Sequence, residues 1–303
     1  MISISSRSMA GLAIAVASLA GLSFFAQDPA QVDIRTEAVQ GNVHVLFGQG
    51  GNIGLSVGED GVLMVDDQFA PLTPRILAAI GSLSEQPVHW VVNTHFHGDH
   101  TGGNENLAKA GATLVAHDNV RERLSNEQYS SFSNRATPPA PEQARPTVTF
   151  NDTMTLHWNG EAIEVIHVGP AHTDGDSIVF FKSSNVVHTG DTFFNGFYPY
   201  IDPNSGGRID GMVRSADRLL EKIDEKTKII PGHGPVGTKA DLKRFRDVMS
   251  TISDRMQKLI SAGKSRDEVI DAKPTSEFDE AWGQGFLTPD TFVGIVYDGL
   301  TAK

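Results

Sequence analysis

The segment from Asn93 to Gly103 carries the densest group of metal-binding side chains in the sequence. It contains His95, His97, Asp99 and His100 within six residues. Imidazole and carboxylate groups are ligands that zinc, iron and manganese accept in proteins. Because the segment follows an apolar run and contains glycines, it is predicted to be a loop at the end of a strand. His95 and His97 can project to one side and share a metal ion, while Asp99 and His100 face a neighbouring one.

Three later segments each place one more ligand on a glycine-containing loop after a predicted strand. These ligands are His172 in Gly-Pro-Ala-His-Thr-Asp-Gly, Asp191 in Thr-Gly-Asp-Thr, and His233 in Pro-Gly-His-Gly-Pro. The ends of strands in α/β folds assemble sites from segments that are far apart in the sequence. A single histidine beside glycine is more often an ordinary loop residue, so each signal alone is weak. Together with the first segment, the set predicts a centre for two metal ions.

The order His-x-His-x-Asp-His, then His, then Thr-Gly-Asp, then Gly-His-Gly resembles that of the metallo-β-lactamase superfamily. The match extends from the strand that begins at Val43 to His233. The resemblance implies a four-layer αβ/βα sandwich with two mixed β-sheets and the metal ions at one edge. It also implies that His95, His97 and His172 hold a first metal ion. The second ion would be held by Asp99, His100 and His233, and Asp191 would bridge the two ions.

The chemistry of such a centre is hydrolysis. Two divalent ions that share a water lower its pKa toward neutrality, so hydroxide is available to attack a carbonyl group. Asp99 is the predicted catalytic residue, because it can orient the hydroxide and shuttle a proton. The ring nitrogens that face away from the metals need acceptors, and Asp66 is preferred for this role over Asp67. The expected cofactor is two Zn²⁺ ions, with iron or manganese as alternatives.

The other histidines and the aromatic residues have less specific patterns. The remaining histidines lie in or beside predicted strands and are interpreted as structural. They are His44, His89, His117, His157, His167 and His188. Of these, His117 and His188 are expected to lie nearest to the site. An aromatic run follows Asp191 directly. Its Gly, Pro and Asn setting predicts the wall of a substrate cleft, with Phe194, Phe197 and Tyr198 as the substrate-binding residues, although the same rings could pack in the core.

Departures from known branches of the family restrict the substrate. Zinc β-lactamases with three histidines at the first metal commonly have a cysteine where Asp191 stands and a lysine three residues later. This chain has Phe194 at the later position and no cysteine. Acyl-homoserine lactonases carry a tyrosine there. The prediction is a hydrolase of a β-lactam, with the possibility of promiscuous turnover, or of a lactone ring. The alternatives are an iron-dependent oxidoreductase, a thioesterase or a phosphodiesterase on the same scaffold.

The elements that must position these loops fall into two β-rich halves, each followed by helices. Strands are predicted at Val43–Phe47, Ile53–Val57, Val62–Val65, Val88–Asn93, Thr113–Ala116, Met154–Trp158, Ile163–Val168, Ser177–Phe181, Val186–Thr189 and Lys228–Pro231. Helices are predicted at Pro74–Leu83 with Thr73 as the cap, Asn104–Ala110, Ile209–Ile223, Lys239–Ser261 and Pro289–Leu300. This order predicts two sheets between layers of helices. Residues 126–146 contain four prolines and are predicted to be a surface loop, either a flexible insertion or a lid.

The first 26 residues are predicted to be a secretory signal peptide. Arg7 precedes an apolar run from Met9 to Phe25, which is typical of an export signal, with an uncleaved anchor as the alternative. Residues 27–303 are then expected to form one hydrolase domain, located in the periplasm or secreted and without stable membrane insertion. The chain has 37 acidic and 25 basic residues, which argues against a nucleic-acid partner and leaves a small-molecule substrate.

Overall fold

Short runs of β-branched residues separated by glycine turns form two large β-sheets in the computed structural model, which describes residues 31–302 and also contains a two-stranded sheet. The predicted signal peptide lies outside the described residues. The strands are β1 Arg35–Gln40, β2 Val43–Phe47, β3 Ile53–Gly58, β4 Gly61–Val65, β5 Val88–Val92, β6 Thr113–His117, β7 Gln128–Ser130, β8 Arg135–Thr137, β9 Val148–Phe150, β10 Thr153–Trp158, β11 Glu161–His167, β12 Ser177–Phe181, β13 Val186–His188 and β14 Lys228–Ile230. The helices are α1 Thr73–Gly81, α2 Gly98–Thr101, α3 Asn104–Lys109, α4 Asp118–Ser125, α5 Ile209–Lys222, α6 Lys239–Ser261, α7 Arg266–Asp271, α8 Asp279–Trp282 and α9 Pro289–Thr301.

The first sheet has seven strands in the order β1-β2-β3-β4-β5-β6-β9. The pairs from β1 to β4 are antiparallel, whereas β4, β5, β6 and β9 are parallel to one another. Because parallel strands end at the same edge of a sheet, the loops that follow β4, β5 and β6 lie side by side. The second of these loops carries the segment with three histidines.

The second sheet has five strands in the order β10-β11-β12-β13-β14. Strand β12 is antiparallel to both of its neighbours, and β14 is parallel to β13. Strands β11, β13 and β14 therefore run in the same direction. The loops after them carry the other three predicted ligands, so these loops also meet at one edge.

Three apolar layers hold the sheets and helices together. Between the sheets, Val45 and Val65 of the first sheet pack with Val165 and Val179 of the second, and all four are fully buried. Alternate residues of the first sheet point outward to α1 and α3, and those of the second sheet point outward to α5, α6 and α9. This is the predicted four-layer αβ/βα sandwich with two mixed sheets.

Some local predictions are corrected by the structure. Helix α1 begins at Thr73, with Leu72 at the N-cap and no side-chain hydrogen bond there, so Thr73 is not the cap. Residues 126–146 are not irregular throughout, because β7 and β8 form an antiparallel hairpin within them. No helix in the described part of the chain is long and apolar enough to cross a membrane.

Candidate metal centre

The first group of ligands consists of His95, His97 and His172. One ring nitrogen from each lies within 4.8 Å of the others. His95 and His172 are buried, and His97 is partly exposed. The His97 Nδ1 and His172 Nε2 atoms are 2.8 Å apart. Segments after β5 and β11, on different sheets, therefore converge on one point.

The second group consists of Asp99, His100 and His233. The Asp99 Oδ2 atom is 3.6 Å from His100 Nε2 and 3.2 Å from His233 Nε2. The two Nε2 atoms are 3.4 Å apart. His100 is fully buried, while the other two side chains are partly exposed. This group is consequently the more accessible of the two.

Asp191 lies between the two groups. Its Oδ2 atom is 3.8 Å from His95 Nε2, 3.4 Å from His172 Nε2 and 3.5 Å from His233 Nε2. Its Oδ1 atom is 3.0 Å from His100 Nε2. A single buried carboxylate thus faces both groups, as a ligand shared by two ions would.

The other nitrogen of four of these rings is held by the surrounding protein. His100 Nδ1 lies 2.7 Å from Asp66 Oδ2, and His97 Nε2 lies 3.1 Å from Asp202 Oδ2. His172 Nδ1 is 2.7 Å from the carbonyl oxygen of Tyr200, and His95 Nδ1 is 3.1 Å from Thr94 Oγ1. Because Thr94 Oγ1 donates to Asp66 Oδ2, it accepts from His95. Each ring therefore donates outward and presents a lone pair to the centre.

This arrangement fits divalent metal ions. When the rings are neutral, as metal binding requires, the inward-facing atoms are ring nitrogens with lone pairs and carboxylate oxygens, all of them acceptors. The buried His95 Nε2 and Asp191 Oδ1 atoms have no hydrogen-bond partner. A cluster of buried acceptors needs a cation to offset the repulsion between its members. A donor set of five imidazoles and two carboxylates is one that zinc, iron and manganese accept.

Burial and the charges of the centre shift the pKa values of its side chains in opposite directions. Burial lowers the pKa of His95 well below its usual value and that of His172 to about 4, so both rings are neutral. Burial opposes protonation of His233 too, but the carboxylates of Asp191 and Asp99 raise its pKa to about 9. For Asp191, burial acts to raise the pKa, but the histidines, His100 first, lower it well below its usual value. The carboxylate is thus ionised and ready to accept a cation.

Two glycines make room for the ligands. A Cβ atom on Gly51 would overlap the ring of His100, and a Cβ atom on Gly232 would overlap the Asp191 carboxylate. Asp66, which holds His100, has a φ of 62°, a left-handed conformation that Asp and Asn tolerate better than most residues. The loops are therefore shaped by the backbone as well as by the ligands themselves.

Two carboxylates that support metal ligands, Asp202 and Asp176, were not predicted from the sequence. Asp202 holds His97, as described above. Asp176 is buried and accepts hydrogen bonds from the backbone N–H groups of His172 and Thr173, and burial raises its pKa to about 7. The sequence signal for Asp176 was its place four residues after His172. No local signal identified Asp202, because its partner is 105 positions away.

A cavity of about 960 Å³ is lined by one ligand from each group, His97 and Asp99. The other walls come from α4, the β7–β8 hairpin, the prolines after the hairpin, and residues 200–205. The tip of the hairpin is joined to the rest of the wall, because the backbone N–H of Ser131 donates to Asn204 Oδ1 at 2.9 Å. The segment 126–146 is therefore a wall of the site.

The three predicted substrate-binding residues lie in two different parts of the structure. Phe194 is 1% exposed and stacks on the ring of His233, with centroids 5.1 Å apart. Phe197 packs edge-on against Phe194 at the same side of the centre. The prediction for Tyr198 is wrong: the side chain is 1% exposed, and its hydroxyl donates to Asp279 Oδ1 at 2.9 Å. Tyr198 points away from the cleft because its ring stacks on Phe292 of α9, in the helical layer.

Tyr200, from the same aromatic run, lines the cavity instead. Its ring lies 5.8 Å from that of His97 and 5.3 Å from that of Phe132 at the hairpin tip. The two histidines expected nearest to the site are structural. His188 donates from Nε2 to the carbonyl of Asn52, and His117 stacks on His167 with centroids 3.7 Å apart.

The fold and the centre together define a class of protein, an αβ/βα sandwich with a candidate two-metal site at one edge of its sheets. The sequence profile of the metallo-beta-lactamase superfamily matches residues 46–236. The chain belongs to this superfamily, whose members are metal-dependent hydrolases.

Relatives of known activity cover several substrates. A hydroxyacylglutathione hydrolase of Nitrosococcus oceani is 27% identical over 54% of this chain and 55% of its own length. A linear primary-alkylsulfatase of a Pseudomonas species is 22% identical over 70% of this chain and 48% of its own length. The alpha subunit of a 2,4-dinitroanisole O-demethylase from a Nocardioides species is 28% identical over 46% of this chain and 40% of its own. This chain spans about half the length of these relatives.

Solved structures show the same fold. The DIM-1 metallo-beta-lactamase has a TM-score of 0.60 and 23% identity, over 73% of this chain and 99% of its own. The sec-alkylsulfatase Pisa1 from a Pseudomonas species has a TM-score of 0.70 and 18% identity, over 87% of this chain and 50% of its own. At these identities the likeness establishes the fold alone.

Proposed function

We propose that this protein is an exported dinuclear zinc hydrolase that opens a lactone or β-lactam ring. The observation that carries the proposal is the position of Asp191, whose carboxylate lies within 3.0–3.8 Å of ring nitrogens from both ligand groups. In this assignment His95, His97 and His172 hold the first ion, and Asp99, His100 and His233 hold the second. Two such ions, when bound, supply Lewis acidity and lower the pKa of a water molecule toward neutrality.

The residues of the chain supply the positioning and the proton handling. Asp99 is partly exposed at the end of the cavity. Burial acts to raise its pKa, but His100 and His233 lower it below its usual range. The carboxylate is thus ionised, and it can orient the attacking water by accepting a hydrogen bond from it and can take up its proton. Asp66 and Asp202 hold the ring orientations on which this geometry depends.

Hydrolysis by the purified mature protein tests the proposal. Zinc content would be quantified, and a chromogenic cephalosporin and an acyl lactone would be offered in parallel. We expect turnover that is lost with a chelator and restored with zinc. Two bound zinc ions with neither ring opened would refute the assigned substrate class, and bound iron would favour the oxidoreductase alternative.

The variant Asp99→Asn tests the assigned mechanism. The change removes the carboxylate that accepts the proton, and an amide is also a poorer metal ligand. We expect kcat to fall by about 10²-fold or more, within the usual range for a general base. Near-normal turnover by a variant that retains its full zinc content would contradict the role of Asp99.

Hydrolysis of sulfate esters is the second candidate function. It is favoured by one observation, the alignment with the alkylsulfatase over 70% of this chain. A medium-chain alkyl sulfate in the same assay distinguishes the two. Release of sulfate faster than opening of either ring would move the assignment to this branch.

A further inference from the structure

One ion pair in the wall of the cavity bears on which substrates can enter. Arg123, in α4, lies beside Asp174, in the loop that carries His172. The Arg123 Nε atom donates to Asp174 Oδ1 at 3.2 Å, and its Nη2 atom donates to Oδ2 at 2.7 Å. A third donor, Nη1, lies 3.2 Å from Gln128 Oε1 in the hairpin. The guanidinium is therefore engaged on two sides in a bidentate geometry.

Arg123 is the one basic residue among the lining residues of the cavity, all of which the structure describes. Six acidic residues also line the cavity, but Asp99 belongs to the metal centre, Asp202 holds His97 and Glu105 pairs with Lys109. Apart from Asp174, this leaves the carboxylates of Glu122 and Glu127 without a basic partner among the described ion pairs. Aromatic rings form much of the remaining wall, among them Phe96, Phe132 and Tyr200. In the wall away from the metal centre, an anionic group would thus meet carboxylates and rings, and the only guanidinium there is already paired with Asp174.

We propose that the cavity selects substrates whose group beyond the reacting carbonyl is uncharged or cationic, and that the Arg123–Asp174 pair enforces this selection. A guanidinium in the wall of a site is a strong binder of carboxylate and sulfate groups when its donors are free. Here Asp174 accepts from two of these donors, a third donates to Gln128, and the charge of Asp174 offsets that of the guanidinium. In the wall away from the metal ions, the carboxylates of Glu122 and Glu127 then remain to repel an anion.

This inference rests on the proposed function, because it concerns the substrate of the same centre. It narrows the proposed ring substrates to a lactone with an uncharged or cationic arm. A cephalosporin carries a carboxylate beside its ring, and an alkyl sulfate is itself an anion, so both would meet the acidic wall. The selection is a property of Arg123 and Asp174, and it can be measured without turnover.

Binding of three thiols to the zinc-loaded protein tests the inference. A thiol binds zinc through sulfur, and the chain has no cysteine that could exchange with it. The probes are 6-mercaptohexan-1-ol, 6-aminohexane-1-thiol and 6-mercaptohexanoate, which differ only in the charge at the far end. Calorimetry at low salt should show the carboxylate binding about tenfold more weakly than the alcohol, the size expected for a partly screened charge contact. The amine should bind at least as tightly as the alcohol.

Three variants test whether the weaker binding of the carboxylate depends on the Arg123–Asp174 pair. Asp174→Asn frees the guanidinium, and we expect the difference in affinity between 6-mercaptohexan-1-ol and 6-mercaptohexanoate (the gap) to disappear. Arg123→Gln leaves Asp174 unpaired, and the gap should widen. The matched control is Asp247→Asn, which removes the same charge from the exposed surface of α6, where Asp247 pairs with Lys243. This control should keep the gap of the parent protein.

The salt dependence of the parent protein provides a measurement that needs no variant. The gap between alcohol and carboxylate should shrink as ionic strength rises, because screening weakens the repulsion. Equal affinities for the three thiols, or a gap that Asp174→Asn and Asp247→Asn change alike, would overturn the inference. Failure to open any ring, with the thiol order as expected, would count against the proposed reaction alone.

Discussion

Replacement of Asp66 by asparagine tests how the protein sets the orientation of His100. Asp66 is fully buried and accepts three hydrogen bonds. Its Oδ1 atom accepts from the backbone N–H of Thr94, and its Oδ2 atom accepts from Thr94 Oγ1 and His100 Nδ1. Asparagine has the same shape and tolerates the left-handed backbone at this position, where φ is 62°. The change therefore alters the hydrogen bonding with little strain.

The size of the effect follows from the tautomer of His100. An amide nitrogen in place of Oδ2 would be 2.7 Å from His100 Nδ1, so that two donors would face each other. The ring can relieve this conflict by moving its proton to Nε2, but Nε2 is the atom that faces Asp99 and Asp191. A bond to an ionised acceptor contributes about 1.5–3 kcal/mol. We expect zinc affinity to fall by about 10–100-fold, the usual effect of losing such a partner.

The affinity would be measured by competition with a chromophoric chelator, and the same samples would be unfolded with denaturant after removal of zinc. The matched control is Asp67→Asn. Asp67 is also buried, but its carboxylate accepts only from the backbone N–H of Gly103 among the described residues. Burial raises its pKa well above the usual value, and an amide oxygen can still accept the bond from Gly103. Zinc affinity in the control should stay near that of the parent protein.

An Asp66→Asn variant that binds zinc within about threefold of the parent, well short of the expected loss, would contradict this role of Asp66. An equal loss of affinity in both variants would also refute it, since a general loosening of the loop would then explain the effect.

Four further predictions concern packing, protons and the space around a ligand. Tyr198→Phe should lower the free energy of unfolding by about 1–2 kcal/mol, because the bond to Asp279 is lost; ring-opening kcat/KM should be unchanged, and a large fall would restore Tyr198 to the cleft. Zinc affinity should rise as pH increases toward 9, because the pKa of His233 is about 9 and its proton must leave; calorimetry in buffers of different ionisation enthalpy would count the released protons, and none at neutral pH would contradict this. In the zinc-free protein the raised pKa of His233 stabilises the fold fully below about pH 6.5, and this contribution is lost as pH rises through about 9; denaturant titrations across that window should show the fall. Gly51→Ala should displace the ring of His100 and reduce bound zinc in metal analysis, whereas full occupancy would show that the loop adapts.

Local sequence patterns were sufficient to predict most of the long strands and helices. The predicted bounds of β2, β12 and α6 agree with the structure. Apolar runs bounded by glycine define the strands, and Thr238, the N-cap of α6, forms a capping box with Asp241. These signals involve neighbours in the sequence, so the sequence alone expresses them. The elements β1, β9 and α4 were not predicted because β1 is half exposed, β9 has only three residues, and α4 contains few apolar residues.

The types and the order of the metal-binding residues also came from the sequence, because ligand chemistry depends on residue type and because each predicted ligand follows a strand. The structure brings all seven predicted ligands into one centre. Only the tertiary structure decided what surrounds them. Asp202 supports His97, Tyr200 rather than Tyr198 faces the cavity, and the direction of each ring depends on packing against distant elements. Such contacts join residues from different sheets and helices, and no local pattern in the sequence records them.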